Sequence, residues 1–432
     1  MGQSIKIGLM GLGTVGNAFV RALSRFQSDG HSACENAMEI KKILVRHPDR
    51  HLDYDSRLTT DARDIIDDPE VAVVVELMGG MEPARSLMLA ALKRGKAVVT
   101  ANKEVMAHAG LEIWEASRKS GAGVYFEASV GAGIPVIQGI RRGLAGNQIH
   151  SITGVVNGTT NYILSRMTQD GLEFSTALRE AQREGYAEVD PTDDIAGYDA
   201  RRKIAILATV GFATWVSPDD VQVDGIAGIT QDDIAYGLSE GWVLKLIATA
   251  HRQQDTMKIS VRPTFLPQNH PIAQVMGAYN AIWVEADPVG NVMYYGLGAG
   301  GYPTASAILS DVLQAVRDLM GQHHEFWPVV DRHLKLDGSE NSRVMSYWRL
   351  EVLDRPGTLA QVAVTLAKHG LSLRSVHQKP LSGGRALLFL VHHECAEHLW
   401  RMARTSVAQL SVVEHVGIPV SIWQSEEESR ER

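Results

Sequence analysis

The stretch Ile5-Lys-Ile-Gly-Leu-Met-Gly11-Leu-Gly13-Thr14-Val15-Gly16 decides the architecture. An apolar run from Ile5 to Leu9 ends in the three glycines, and a helical pattern follows from about Val15 to Phe26. Strand, glycine turn and helix in that order are the setting a dinucleotide-binding loop requires. Gly11 permits the tight turn, Gly13 lets the backbone approach a pyrophosphate, and Gly16 lets helix and strand pack closely. The helix start, with Thr14 and Val15 in its first turn, offers free N–H groups and a partial positive charge to phosphates. Such glycine turns also occur without ligands, but here position, strand and helix all agree.

Further apolar runs at Glu39 to Val45, Val71 to Leu77 and Ala97 to Thr100 alternate with amphipathic stretches, which predicts a parallel, doubly wound sheet of the Rossmann type. The polar, glycine-containing segment Phe26 to Asn36 reads as a loop inserted before the second strand. That strand ends in Arg46-His47, where an acid would bind the ribose hydroxyls of NAD. Arg46 suits the 2′-phosphate of NADP instead, or is a solvated loop residue, so NADP is preferred and NAD is not excluded. The fourth strand ends at Thr100-Ala-Asn-Lys103, which places Lys103 at a strand's carboxyl end, where open α/β sheets bind ligands. Lys103 faces nicotinamide and substrate there, or it is an ordinary solvated lysine.

From about Gly131 the texture changes to glycine-rich turns and longer helices, including Ser175 to Glu184, stopped by Gly185, and Tyr198 to Val210. The domain reading is a dinucleotide-binding domain over 1–130 and an α+β catalytic and dimerisation domain over 131–300. Gly296-Leu-Gly298-Ala-Gly-Gly301 and a helical run from Ala305 to Met320 return the chain to the first domain at about 300–330. A polar linker at 338–342 precedes a β-α-β-β-α-β block over 346–424, a ferredoxin-like unit, and a charged tail over 425–432.

Composition narrows the function. A chain of 432 residues calls for two or three domains, and 45% apolar with 21% charged residues is ordinary for a globular protein. The net charge of −8 is spread out with no basic stripe, so nucleic acid is not an expected partner. No run of about 18 apolar residues and no signal-peptide pattern is present, which predicts a cytoplasmic protein without a membrane partner. Met1-Gly2 fails as a myristoylation signal, because Lys6 stands where Ser or Thr is needed. Cys34 and Cys395 support neither a disulfide framework nor a thiolate metal site, and read as packing residues in a reducing compartment.

The most informative chemistry lies in Ala181-Gln-Arg-Glu-Gly185-Tyr-Ala-Glu188-Val-Asp190-Pro-Thr-Asp193-Asp194-Ile-Ala-Gly197-Tyr-Asp199-Ala-Arg-Arg-Lys203. A carboxylate-rich loop runs into a helix on which Asp199 and Lys203 share a face. Alone, such a pair is usually a surface ion pair. The crowding of Glu188, Asp190, Asp193 and Asp194 beside it asks for a cationic partner: a substrate ammonium, a lysine or a metal.

This stretch resembles the signature of homoserine dehydrogenases at Ala181, Gly185, Tyr186, Asp190-Pro191, Asp194, Gly197, Asp199 and Lys203. Thr100-Ala-Asn-Lys103, Glu127 to Pro135, Asn157-Gly-Thr-Thr-Asn-Tyr162 and Gly298-Ala-Gly resemble the same family. Asp354-Arg-Pro-Gly-Thr-Leu359 resembles the opening turn of an ACT domain. No kinase domain precedes the glycine motif, so the resemblance is to the monofunctional form.

The resemblance implies reversible, NAD(P)H-dependent reduction of L-aspartate 4-semialdehyde to L-homoserine, a step toward threonine, methionine and isoleucine. It implies Lys203 as the proton donor that also stabilises the developing alkoxide, Asp199 as its anchor, and Lys103 at the substrate and cofactor. Glu188 and Asp194 would recognise the substrate's ammonium group, with Gly158 and Thr159 lining the same pocket and Gly298 at the cofactor. Glu127, Val130, Ala132 and Ile134 match positions that hold a monovalent cation, Na or K, largely through carbonyl oxygens. The ACT-like block implies L-threonine as effector and a homodimer or homotetramer; it reads otherwise as a support for assembly. The alternatives are a dehydrogenase for another small amino or hydroxy acid, and a non-catalytic amino-acid sensor, for which Lys103, Asp199 and Lys203 together would have no use.

Overall fold

Valine-rich strands buried along nearly their whole length, such as Val71–Glu76 and Ala97–Thr100, mark a sheet covered on both faces, and six short strands build it. They are β1 (Ile5–Met10), β2 (Met38–Leu44), β3 (Leu58–Thr59), β4 (Val71–Glu76), β5 (Ala97–Thr100) and β6 (Val124–Tyr125). In this computed structural model, which describes residues 4–28, 38–322, 330, 333–337 and 343–424, they lie parallel in the order β3-β2-β1-β4-β5-β6. That is the doubly wound order, with its switch point between β1 and β4. Cys34, the linker at 338–342 and the tail at 425–432 lie outside the described residues, as does most of the segment expected as a loop before β2.

Helix α1 spans Thr14–Ser28, so it runs past the expected end at Phe26, and Gln27 and Ser28 are helical where a loop was expected. The Gln27 amide donates to the carbonyl of Met38 at 2.5 Å, which holds that last turn. Helices α2 (Ala84–Lys93) and α3 (Lys103–Ser120) complete the alternation. The helix Gly301–Arg317 packs on α1, and Ala305, Ile308, Val312 and Ala315 share one core with Ile7, Phe19 and Val75. It begins earlier than the expected Ala305, and its first residue, Gly301, passes close to α1: a β-carbon there would stand 3.3 Å from Thr14 Cγ2.

The chain divides into two compact units, each discontinuous in sequence. The first contains the parallel sheet together with 202–220 and 280–333, and the second contains 153–201, 221–279 and 334–432. The second unit is built on a long hairpin, Trp242–Gln253 against Thr256–Pro267. Its C-terminal block has strands Ser346–Leu353, Leu373–Leu381, Arg385–His392 and Val413–Val416, with helices Thr358–Lys368 and Glu397–Ala408. The first strand lies between the third and fourth, and all pairs are antiparallel, which is the ferredoxin-like arrangement. Strand Val420–Ile422 pairs with both Ser346 and Thr264, so this block is continuous with the hairpin's sheet. A buried ion pair, Arg349 to Asp233 at 2.9 Å, adds a second tie, and the Tyr347 hydroxyl donates to the same carboxylate at 2.8 Å.

Lys245 is buried in the hairpin, where its ammonium donates to Asn161 Oδ1 at 2.9 Å and to the Val275 carbonyl at 2.5 Å. Burial pushes its pKa down to about 7. The folded chain therefore binds fewer protons than the unfolded chain between pH 7 and the ordinary lysine value of 10.5, so this group's contribution to stability rises with pH across that window. Urea melts of wild type and Lys245→Met should diverge in favour of wild type by on the order of 2 kcal/mol between pH 7 and pH 9. A pH-independent difference would show that Lys245 carries its proton throughout.

Candidate functional site

The glycine loop is shaped for a ligand that approaches its backbone. Gly11 has φ +101°, and a β-carbon there would stand 2.7 Å from the Leu77 carbonyl oxygen. A β-carbon on Gly16 would lie 2.4 Å from the Gly11 oxygen, so the first and third glycines are required by the turn and the helix packing. Gly13 differs: nothing lies within 4 Å of its would-be β-carbon, and Gly13 and Thr14 are exposed. That open face, at the start of α1, fits a pyrophosphate. Beside it runs a groove of about 810 Å³ lined by Thr14, Asn17, Arg21, Arg50, Tyr54 and Tyr302. Arg46 is exposed at the end of β2; Arg21 and Arg50, which the motif did not single out, stand on the groove itself.

At the carboxyl ends of β4 and β5 the structure builds a buried polar network. Thr100 Oγ1 donates to Glu76 Oε2 at 2.7 Å, and the Met78 amide donates to Glu76 Oε1 at 2.8 Å. Burial raises the Glu76 pKa, against which these hydrogen bonds act. Asn102 caps α3 by accepting from the Val105 amide and donates to the Gly80 carbonyl at 2.8 Å. This fixes Lys103 as the first residue of the helix, directly beyond the sheet.

Gly298 is required by a different neighbour. A β-carbon on it would fall 1.8 Å from the Asn280 amide nitrogen. Asn280 is fully buried, and both of its amide atoms lack a hydrogen-bond partner among the described residues. Unsatisfied buried amides are uncommon in folded proteins and mark places where a ligand or water completes the site.

In the second unit Asn157 gathers the acids. It caps the helix Gly158–Asp170, accepting from the Thr160 amide at 2.8 Å. Its Nδ2 donates to Asp194 at 2.7 Å and to Asp199 at 2.8 Å, bringing together two carboxylates that the sequence places in separate turns. Gly158 has room for no side chain, since a β-carbon would lie 2.8 Å from the Ala278 oxygen. Thr159 Oγ1 donates to the Tyr186 carbonyl at 2.6 Å, so its hydroxyl holds the acidic loop. Glu188 is exposed, and Asp190 turns back to bind Thr192 at 2.6 Å, away from the Asp194 and Asp199 pair. Asp199 and Lys203 stand one turn apart on the helix Tyr198–Phe212 and are only 2% and 8% exposed. Side chains this deeply buried are not part of a solvated surface.

Both carboxylate oxygens of Glu127 accept backbone amides, from Ile137 at 2.8 Å and Gln138 at 2.7 Å. Burial pushes its pKa up to about 7, opposed by those amides. The turn that follows carries two consecutive left-handed residues, Gly131 at φ +72° and Ala132 at φ +48°. A non-glycine residue in that region is a constrained backbone feature. Cys395 is a buried free thiol whose pKa burial pushes up to about 11, consistent with a packing role.

The parallel sheet, the open glycine loop and its groove define a dinucleotide-binding protein of the Rossmann class. Comparison with known proteins narrows this. Residues 11–127 match the family "Homoserine dehydrogenase, NAD binding domain", residues 135–313 match "Homoserine dehydrogenase", and residues 349–399 match the ACT domain. A homoserine dehydrogenase from Synechocystis sp. is 42% identical over 429 residues, which cover 96% of this chain and 98% of the relative. The crystal structure of a homoserine dehydrogenase from Thiobacillus denitrificans superposes with a TM-score of 0.91 at 36% identity, covering 98% of this chain and 99% of that one. A hyperthermophilic archaeal homoserine dehydrogenase in complex with NADPH matches with a TM-score of 0.63 at 26% identity over 73% of this chain and 98% of that one. The chain belongs to the homoserine dehydrogenase family. It is an NAD(P)-dependent enzyme with a C-terminal ACT domain. Among the described residues, no helix is long and apolar enough to cross a membrane.

Proposed function

We propose that the enzyme reduces L-aspartate 4-semialdehyde to L-homoserine, reversibly and in the cytoplasm, on the route to threonine, methionine and isoleucine. The observation that carries this reading is the buried helix turn holding Asp199 and Lys203, tied through Asn157 to Asp194. When bound, a nicotinamide dinucleotide supplies the hydride; the chain's own residues supply binding, orientation and the proton. Gly11, Gly13, Thr14, Val15 and Gly16 would seat the pyrophosphate, and Gly298 would contact the cofactor. Lys203 donates its proton to the aldehyde oxygen as charge builds there, and Asp199 keeps the ammonium oriented. Lys103 binds the substrate at the sheet's carboxyl edge.

Asp194 and Glu188 recognise the substrate's ammonium by charge-assisted hydrogen bonds, while Gly158 and Thr159 shape the pocket. Glu127, Val130, Ala132 and Ile134 surround a Na or K site, for which the left-handed turn at Gly131 and Ala132 is the supporting feature. The working unit is a homodimer or homotetramer, and L-threonine acts through the ACT domain. The functional domains are 1–130 completed by 300–330, 131–300, and 346–424.

The test is the rate of reduced-cofactor oxidation with L-aspartate 4-semialdehyde, using NADPH and then NADH. Absence of turnover by folded protein would refute the reading. Exposed Arg46 is assigned to the 2′-phosphate, supported by the NADPH held by the archaeal relative. Arg46→Ala should raise the KM for NADPH by about tenfold, the scale of one charge-assisted contact, and leave NADH kinetics unchanged. Equal effects on both cofactors would move the 2′-phosphate contact to Arg21 or Arg50.

A further inference from the structure

Gly158, Asn161 and Ser165 follow helical spacing on the helix Gly158–Asp170 and so share one face. In the second unit that face meets the segment 275–279 along its length. Asn161 Nδ2 donates to the carbonyls at the segment's two ends, Val275 at 3.1 Å and Tyr279 at 3.0 Å. The Gly277 amide donates to Ser165 Oγ at 3.1 Å. Between these ties the Ala278 carbonyl presses on the start of the helix, where a β-carbon on Gly158 would lie 2.8 Å from its oxygen.

Asn161 does not hold the segment alone. Lys245, on the strand Trp242–Gln253, reaches the same place from the hairpin, and its Nζ donates to Asn161 Oδ1 at 2.9 Å and to the Val275 carbonyl at 2.5 Å. The Val275 carbonyl therefore accepts from both side chains, and Lys245 also fixes which way the Asn161 amide faces. Each of the two residues is 1% exposed. A lysine is seldom buried so completely, and removing its nitrogen from water is unfavourable unless hydrogen bonds replace the water. Methionine or leucine would fill this space without that cost. What lysine adds is N–H groups at the end of a long arm, set against one amide oxygen and one carbonyl oxygen.

We propose that Lys245 is a positioning residue for the aldehyde site: with Asn161 it clamps the segment 275–279, so that the Ala278 carbonyl fixes Gly158 and the turn from which Asn157 binds Asp194 and Asp199. Gly158 directly follows Asn157, so a displaced Ala278 carbonyl frees the backbone that aims Asn157 Nδ2 at the two carboxylates. The Asn161 amide also donates to the Asn157 carbonyl at 3.2 Å, a second path from the clamp to the same residue. The role in the reaction rests on the assignment of Asp194 and Asp199 to the substrate, whereas the clamp itself is measurable without turnover.

The test compares wild type, Lys245→Met, Asn161→Leu and the double variant in steady-state kinetics and in amide hydrogen exchange of the full chain. Lys245→Met and Asn161→Leu should each raise the KM for L-aspartate 4-semialdehyde by about tenfold, the scale of one lost buried hydrogen bond, with kcat falling less and the KM for NADPH unchanged. The double variant should be less than additive, since both residues serve one clamp. A role confined to stability would leave less folded enzyme, which lowers the apparent kcat and does not move KM. Amides of 158–161 and 277 should exchange faster by about tenfold or more in each variant. Lys245→Met keeps the arm and loses only the N–H groups, and Asn161→Leu carries the test if it does not fold. Unchanged exchange would overturn the clamp. Faster exchange with an unchanged aldehyde KM, or equal rises in both KM values, would overturn the positioning role. Absence of turnover by wild type would refute the reaction assigned above and this role with it, while exchange would still decide the clamp.

Discussion

Lys203→Ala should lower kcat for NADPH-dependent reduction of L-aspartate 4-semialdehyde by about a hundred- to ten-thousand-fold, the range associated with a positioned general acid. The side chain is 8% exposed, one turn from an Asp199 that is 2% exposed, so bulk water cannot readily take over proton delivery. Alanine removes the proton donor and the cation that meets the developing alkoxide, which are both interactions of the transition state. The loss should therefore fall on kcat, with the KM for NADPH little changed. Lys203→Arg should rescue poorly, because guanidinium keeps its charge but hardly gives up its proton. Circular dichroism distinguishes a catalytic loss from an unfolded variant. A folded Lys203→Ala enzyme within threefold of wild-type kcat would remove Lys203 from the mechanism.

The second large effect belongs to a residue whose own chemistry is inert. Asn157→Leu keeps the approximate side-chain volume but removes both amide donors, at 2.7 and 2.8 Å, from Asp194 and Asp199. Each lost charge-assisted hydrogen bond to a carboxylate is worth roughly 1.5–3 kcal/mol. The kcat/KM for aldehyde should fall by about a hundredfold or more, while the KM for NADPH stays near wild type. The combined variant with Asp194→Asn should be less than additive, since the two act through one bond. Full additivity would mean that Asn157 only caps its helix. Asn157→Asp keeps the cap but sets a third carboxylate against the other two, so it should be no better than leucine.

Several of these features were legible before any coordinates. The glycine loop, the β-branched strands and the ACT-like block follow from local periodicity and turn chemistry, and four of the six strands of the sheet begin and end within a residue or two of where the sequence places them, while the two-residue edge strands Leu58–Thr59 and Val124–Tyr125 are too short to show a pattern. Asn102 and Asn157 carry a readable signal too, each standing just ahead of a helix where a capping side chain is wanted. That signal predicts a cap and says nothing of a second task. The two compact units each draw on three separate stretches of chain, a division that no composition shift marks.

The sequence by itself determined the dinucleotide loop, the parallel alternation and the one-turn spacing of Asp199 and Lys203, because each is a relation among neighbours within a strand, a turn or a helix. Only the tertiary structure decided that Asn157 binds Asp194 and Asp199, that Asn280 lies against Gly298 without a hydrogen-bond partner among the described residues, and that Trp400, Arg404 and Asp224 line one cavity. Those are relations between distant segments, which leave no period in the chain. Whether a polar side chain is buried, and which partner it then needs, is settled only when packing has excluded water from around it.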